Sequence, residues 1–275
     1  MKGSTTQPAC HAFARVPGHG TPYAAPTLVN FSTEPSYCGL SAGVPRELGG
    51  FRIVADSRAA GARSGGDFWI ATAREQGRLA VVIGDACGHG RVGAEQLHHL
   101  LPAVRELARF GAGPGWLLWE LNRRLEGRLP VDRFVTAAAL EIDLRAGRIL
   151  VANAGHVPAL VRQAEHGVQV IGRASGPPLG MQHQAEYREE RCAFRAGDVL
   201  VCMTDGVFEA VESDLMSMHT LRHVLAGAGQ GSCAVQRAVL GCLGPVLAGN
   251  DDMTLVSLEA RAAVVPSVRY YKQVA

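Results

Sequence analysis

The chain has 275 residues, a formal net charge of +2 and 47% hydrophobic residues. A chain of this length buries enough surface to fold without disulfide staples. Near-balanced charge with no run of five like charges argues against a nucleic-acid arm or a polybasic membrane patch, and no apolar run approaches the ~18 residues of a membrane span. Seven cysteines, an odd number with no Cys-x-x-Cys pair, fit reduced thiols in a cytoplasm better than a secreted framework. The first twenty residues lack an apolar signal core, so the expected location is cytoplasmic.

Residues 1–48 are rich in Pro, Gly, Ser and Thr and show no sustained period. They read as an irregular N-terminal arm, with 27–31 as a candidate edge strand. Residues 49–260 read as one folded domain and 261–275 as a tail. Segments 51–55, 67–72 and 79–84 have the composition and boundaries of strands. Leu97, Leu100, Leu101, Val104, Leu107 and Ala108 then keep helical spacing. Pro102 is expected to kink that helix or break it in two. A second helix starts near Pro114 and stops near Gly127. Strands are expected at 134–140, 148–153, 157–162, 168–171, 187–194 and 198–204. Helices are expected at 215–226 and 232–247, and a last strand at 253–258. Helices thus come in pairs between blocks of strands. That order departs from the alternation of a doubly wound parallel sheet and indicates mainly antiparallel sheets with helices outside.

Gly88, Gly90 and Gly93 spell Gly-x-Gly-x-x-Gly after an apolar strand. A dinucleotide fingerprint also needs an acidic residue about 20 positions on, at the end of a second strand. Residues 113–125 read as helix, so no nicotinamide or flavin site is expected. The glycines are read as a strand-to-helix turn.

Acids recur where strands begin or end: Asp67, Asp85, Asp205, and the pair Asp251 and Asp252. Any one of them is an ordinary turn former. Together they invite another reading. Two carboxylates 4 Å apart repel by roughly 4 kcal/mol at an effective dielectric near 20. Converging acids must therefore hold protons or divalent cations. An all-oxygen set favours Mg²⁺ or Mn²⁺ over Zn²⁺.

Eight segments occur in order: Ser64-Gly65-Gly66-Asp67-Phe68-Trp69, Gly84-Asp85-Ala86-Cys87-Gly88-His89-Gly90, Phe134-Val135-Thr136-Ala137-Ala138, Asn153-Ala154-Gly155-His156-Val157-Pro158, Gly176-Pro177-Pro178-Leu179-Gly180, Gly197-Asp198-Val199-Leu200, Thr204-Asp205-Gly206-Val207 and Asp251-Asp252-Met253-Thr254. They resemble the metal-dependent PP2C (PPM) protein phosphatases, in particular the bacterial SpoIIE/RsbU-type branch, over about residues 50–260. The resemblance implies an α+β fold, a PP2C-like α-β-β-α sandwich of two mainly antiparallel sheets flanked by helix pairs. It also implies two Mn²⁺ or Mg²⁺ ions, with Asp67, Asp85, Asp205, Asp251 and the Ala86 carbonyl as ligands. Asp85 would bridge the ions, and the four aspartates would act through them and a bridging water. Gly66, His89 and Asp252 would support that set. Two departures stand out: Ile70 occupies a position where relatives often carry an acid, and Ala86-Cys87 replaces the commoner Val-Ser. Nothing ahead of residue 49 has the length or regularity of a PAS or GAF sensor module.

The implied activity is hydrolysis of phosphoserine or phosphothreonine on a protein, with a phosphorylated STAS-domain anti-anti-sigma regulator as the expected partner and no nucleic acid or membrane. A degenerate, non-catalytic module of the same fold is the alternative. Retention of mutually repelling acids, which a pure binder does not need, weighs against it. Asn153-Ala154-Gly155-His156 is read as fixing a loop. A metal-dependent nuclease shares the chemistry, but balanced charge and 6% aromatics supply no groove or stacking platform.

Overall fold

The computed structural model describes residues 36–38, 44–58, 65–87, 91–130, 132–173, 176–209, 217–243 and 251–261. Among these residues, twelve strands form two sheets. The first sheet is ordered β1(Ser36–Cys38), β4(Asp67–Arg74), β5(Arg78–Ala86), β6(Val135–Asp143), β7(Arg148–Ala154), β10(Glu190–Ala193). The second is ordered β2(Arg46–Leu48), β3(Phe51–Arg58), β12(Met253–Ala260), β11(Val199–Met203), β8(Ala159–Gln163), β9(Gly167–Ile171). Every strand pair is antiparallel. Helices α1(Arg91–Arg109) and α2(Pro114–Leu125) cover the outer face of the first sheet. The one-turn α3(Gly206–Glu209) follows β11, and α4(Met218–Gly227) and α5(Ser232–Leu243) cover the second sheet. The result is the expected four-layer α-β-β-α sandwich.

The central strands read as continuous apolar runs because both of their faces are buried. Successive side chains alternate across a sheet. In β5, Leu79, Val81 and Ile83 enter the core between the sheets, with Trp69, Ala71, Leu140 and Ile142. Val82 faces the opposite way, onto Leu97, Leu100, Val104, Leu118 and Leu121 of the helix pair. The second sheet does the same. Leu200 and Cys202 point inward, while Val199, Val201 and Met203 meet Leu221, Leu225, Val235 and Val239 of α4 and α5.

Three sequence expectations are adjusted. Pro102 does not break α1, which runs unbroken through it. Pro102 sits on the exposed side, where water can satisfy the carbonyl that loses its partner, and the buried stripe on the other side holds the turns together. Two three-residue edge strands form within the stretch read as irregular: Ser36–Cys38 pairs with β4 and Arg46–Leu48 with β3. The strand expected at 187–194 is shorter, Glu190–Ala193. The candidate strand at 27–31 and the glycine turn at 88–90 lie outside the described residues. Gly127 follows α2 with φ +66°, the left-handed residue that ends a helix. Among the described residues, no helix is long and apolar enough to cross a membrane.

Candidate active site

Register brings the first two acids together. Asp67 at the start of β4 lies directly opposite Asp85 near the end of β5, and Asp85 is opposite Thr136 on its other side. Directly paired residues share a sheet face. That face is the inner one, because Asp67 keeps the alternation of Trp69 and Ala71, and Asp85 that of Ile83 and Val81. The second sheet delivers its acids to the same end. Asp205 follows β11, and Asp251 and Asp252 precede β12. Carboxyl oxygens of Asp205, Glu209 and Asp251 lie within 4.8 Å of one another.

Hydrogen bonds knit the two sheets at this end. The buried Thr204 hydroxyl donates to Asp67 Oδ2 at 2.7 Å and accepts from Thr254 N at 2.8 Å. Gly66 N donates to Asp252 Oδ2 at 2.6 Å, and Ala86 N donates to Gly66 O at 3.0 Å. Asp252 is therefore buried and engaged with the backbone at Gly66, while Asp251 points to the acid cluster and accepts from Asp252 N at 2.8 Å. At Gly66 a Cβ would lie 2.6 Å from Ala86 O and 2.7 Å from Asp85 Oδ1. Only glycine keeps the space before those two oxygens open.

The charges are held uneasily. Burial pushes Asp67 up to about 8, against the hydrogen bond from Thr204, and Asp85 and Asp252 add repulsion. Burial likewise lifts Asp85 to about 7, with Asp205, Asp251 and Asp252 contributing. Asp205 and Glu209 are raised as well, by partial desolvation first and then by their acidic neighbours. Among the described residues, Asp67 Oδ1 is buried with no hydrogen-bond partner. A buried, unpartnered carboxylate oxygen facing further carboxylates, beside a backbone carbonyl kept clear by glycine, is a donor set for hard divalent cations. Asp67, Asp85, Asp205, Asp251 and Ala86 O fit such ions.

Glu209 is a member of this cluster that the sequence reading missed. It lies four residues after Asp205, one turn along α3, and its N–H reaches Asp205 O at 3.2 Å. The spacing Asp-x-x-x-Glu was visible, but an exposed glutamate in a short helix reads as solvated. Ile70, where an acid was expected in relatives, is fully buried among helix-facing residues. Its side chain points away from the acids. His89 lies outside the described residues. His156 is buried; Asn153 Oδ1 accepts from its N–H at 2.7 Å, and Asn153 Nδ2 donates to its carbonyl at 2.9 Å. Burial pushes its ring down to about 4, so it is neutral at pH 7, and Nδ1 meets the Thr136 hydroxyl at 2.9 Å.

Two face-to-face antiparallel sheets, a helix pair on each outer face and acids gathered at one end of the gap give the chain the fold of PP2C-type phosphatase domains. The chain belongs to the Stage II sporulation protein E (SpoIIE) family, whose sequence profile matches residues 75–261. It is similar to the phosphoserine phosphatase RsbP of Bacillus subtilis, with 32% identity over 153 residues covering 53% of this chain and 38% of RsbP. The chain thus spans well under half of that relative. In fold it is similar to the PP2C phosphatase domain, with a fragment of the regulatory domain, of SpoIIE from Bacillus subtilis. That match has a TM-score of 0.66 at 18% identity, over 84% of this chain and 71% of the other. It is also similar to RsbX, solved in complex with magnesium, with a TM-score of 0.63 at 16% identity, over 78% of this chain and 98% of the other.

Proposed function

We propose that the chain is a metal-dependent protein-serine/threonine phosphatase in which Asp67, Asp85, Asp205, Asp251 and the Ala86 carbonyl hold two Mn²⁺ or Mg²⁺ ions. One observation carries the reading: acids from four separate strand ends share one end of the inter-sheet space, and among the described residues a buried oxygen of Asp67 has no hydrogen-bond partner. Such ions, when bound, lower the pKa of water toward neutrality and offset charge on phosphoryl oxygens. The chain's own residues do the positioning. Thr204 fixes the rotamer of Asp67, Asp252 anchors the Gly66 backbone, and Gly66 leaves room for a phosphoryl group or water beside Asp85. Glu209 adds a carboxylate at the rim. His156 is held neutral by burial and orients Thr136 rather than serving as a cationic acid.

We place the phosphatase domain at residues 49–260, to which Ser36–Cys38 and Arg46–Leu48 of the preceding segment 1–48 add one edge strand per sheet, with 261–275 following it. The substrate is phosphoserine or phosphothreonine on a protein. RsbP, named a phosphoserine phosphatase, supports that class, and a phosphorylated STAS-domain anti-anti-sigma regulator is the specific substrate we assign. Action in the cytoplasm fits Cys192, Cys202, Cys233 and Cys242, which are free thiols. The test is release of phosphate from a phosphorylated STAS protein with and without Mn²⁺. Metal-dependent release by the wild-type chain supports the assignment. Absence of any metal-dependent turnover, on that substrate and on p-nitrophenyl phosphate alike, favours the non-catalytic module instead.

A further inference from the structure

Helix α4 carries an arrangement that phosphate hydrolysis leaves unused. Its sequence Met218-His219-Thr220-Leu221-Arg222-His223 sets two histidines four residues apart, on one face of the helix. The helix start is pinned by Ser217, whose Oγ accepts from Thr220 N at 3.1 Å. Leu221 and Leu225 bury the inner side against the second sheet, so His219 and His223 project outward and are exposed. Their Nε2 atoms stand 3.3 Å apart, and their rings meet edge to face with centroids 4.5 Å apart.

That separation has a chemical meaning. Two imidazole nitrogens bound tetrahedrally at ~2.0–2.1 Å to one ion are ~3.3–3.4 Å from each other. The helix backbone already supplies this bite, and a small ring rotation turns both lone pairs to one point. We propose that His219 and His223 form a second cation site, for a borderline transition ion of the Zn²⁺, Ni²⁺ or Cu²⁺ class. Imidazole selects such ions, whereas the all-oxygen acid cluster selects Mg²⁺ or Mn²⁺, so the two sites sort cations by donor type. Among the described residues, no third His, Cys, Asp or Glu closes the pair. Water fills the remaining positions, which makes this an open, exchanging site rather than a sealed structural one. Occupancy would tie the first turn of α4 to the second, and binding to the folded form alone raises its stability.

Calorimetry with Ni²⁺ on the full chain tests this, in millimolar Mg²⁺ to occupy the carboxylates. The variants are His219→Ala, His223→Ala and the double. Both positions are exposed and alanine favours helix, so the fold is kept. His166→Ala, another exposed histidine on the turn before β9, is the control. Wild type and control should bind one more Ni²⁺ than the double variant. Each single variant should bind it at least about tenfold more weakly, because the chelate is lost. Saturating Ni²⁺ should also raise the wild-type melting temperature more than that of the double variant. Equal Ni²⁺ stoichiometry and affinity in wild type and double variant overturns the site, as does an equal loss on His166→Ala.

Discussion

The space between the two sheets is used in two ways along its length. Its middle is filled by Trp69, Leu79, Val81, Ile83, Leu140, Ile142 and Leu258, apolar side chains in mutual contact. A few residues further along the same strands, the facing side chains are Asp67 and Asp85, with Asp205 and Asp251 arriving from the other sheet. One region gains free energy by excluding water. The other gives some of it up by keeping carboxyls away from water and close to one another: burial first, and repulsion between the acids second, raises Asp67 to about 8 and Asp85 to about 7. The core can carry a destabilised end because both belong to the same strands.

The comparison breaks most sharply at Asp85. Asp85→Asn should lower metal-dependent phosphatase turnover by more than about 100-fold, beyond the 10–100-fold typical of a residue that only supports a ligand. The metal-free fold should be kept or stabilised, since a desolvated carboxyl is replaced by a neutral amide. Assays on p-nitrophenyl phosphate and a phosphoprotein, beside thermal melts, read both effects. Two residues away on the same face of β5, Ile83→Ala should do the reverse. It should cost about 2–5 kcal/mol in denaturant unfolding, through lost burial and the cavity left behind, while folded molecules keep their turnover at low temperature.

Acidity sharpens the contrast further. Unfolded carboxyls ionise near 4, whereas Asp67 and Asp85 in the metal-free fold ionise near 8 and 7. Between those values the folded chain binds more protons than the unfolded one, so its stability falls as pH rises. Melts of the metal-free protein should show the melting temperature dropping from pH 5 to pH 8, and millimolar Mg²⁺ should reduce the drop. The smallest effect belongs to the rim: Glu209→Gln should raise the Mn²⁺ concentration for half-maximal activity only several-fold, as read by a metal titration at fixed substrate.

Much of the sandwich was legible because burial on both faces writes apolar runs that few other arrangements explain. Strand-end acids were equally visible, since Asp67, Asp85, Asp205 and Asp251 each sit where an apolar segment begins or ends. Other features lay beneath local pattern. Ser36–Cys38 and Arg46–Leu48 are too short to show a period, and their pairing is set by β4 and β3 rather than by their own composition. Pro102 misled because an intrinsic helix breaker was outweighed by the buried stripe on the other side of α1. The different placements of Asp251 and Asp252 follow from one backbone step, which turns one carboxylate to the cluster and the other to Gly66 N. No spacing rule supplies that.

The Thr204 hydroxyl touches Asp67 of one sheet while accepting from Thr254 of the other. It works like the rivet of a pair of calipers: the width of the gap is transmitted to the jaws. A bulkier residue at Ala71 or Ala138, both wholly interior, would wedge the plates apart and reset the spacing of the acids without touching them. Catalytic tuning in this architecture is therefore open to substitutions made deep in the hydrocarbon filling, remote from any charged group.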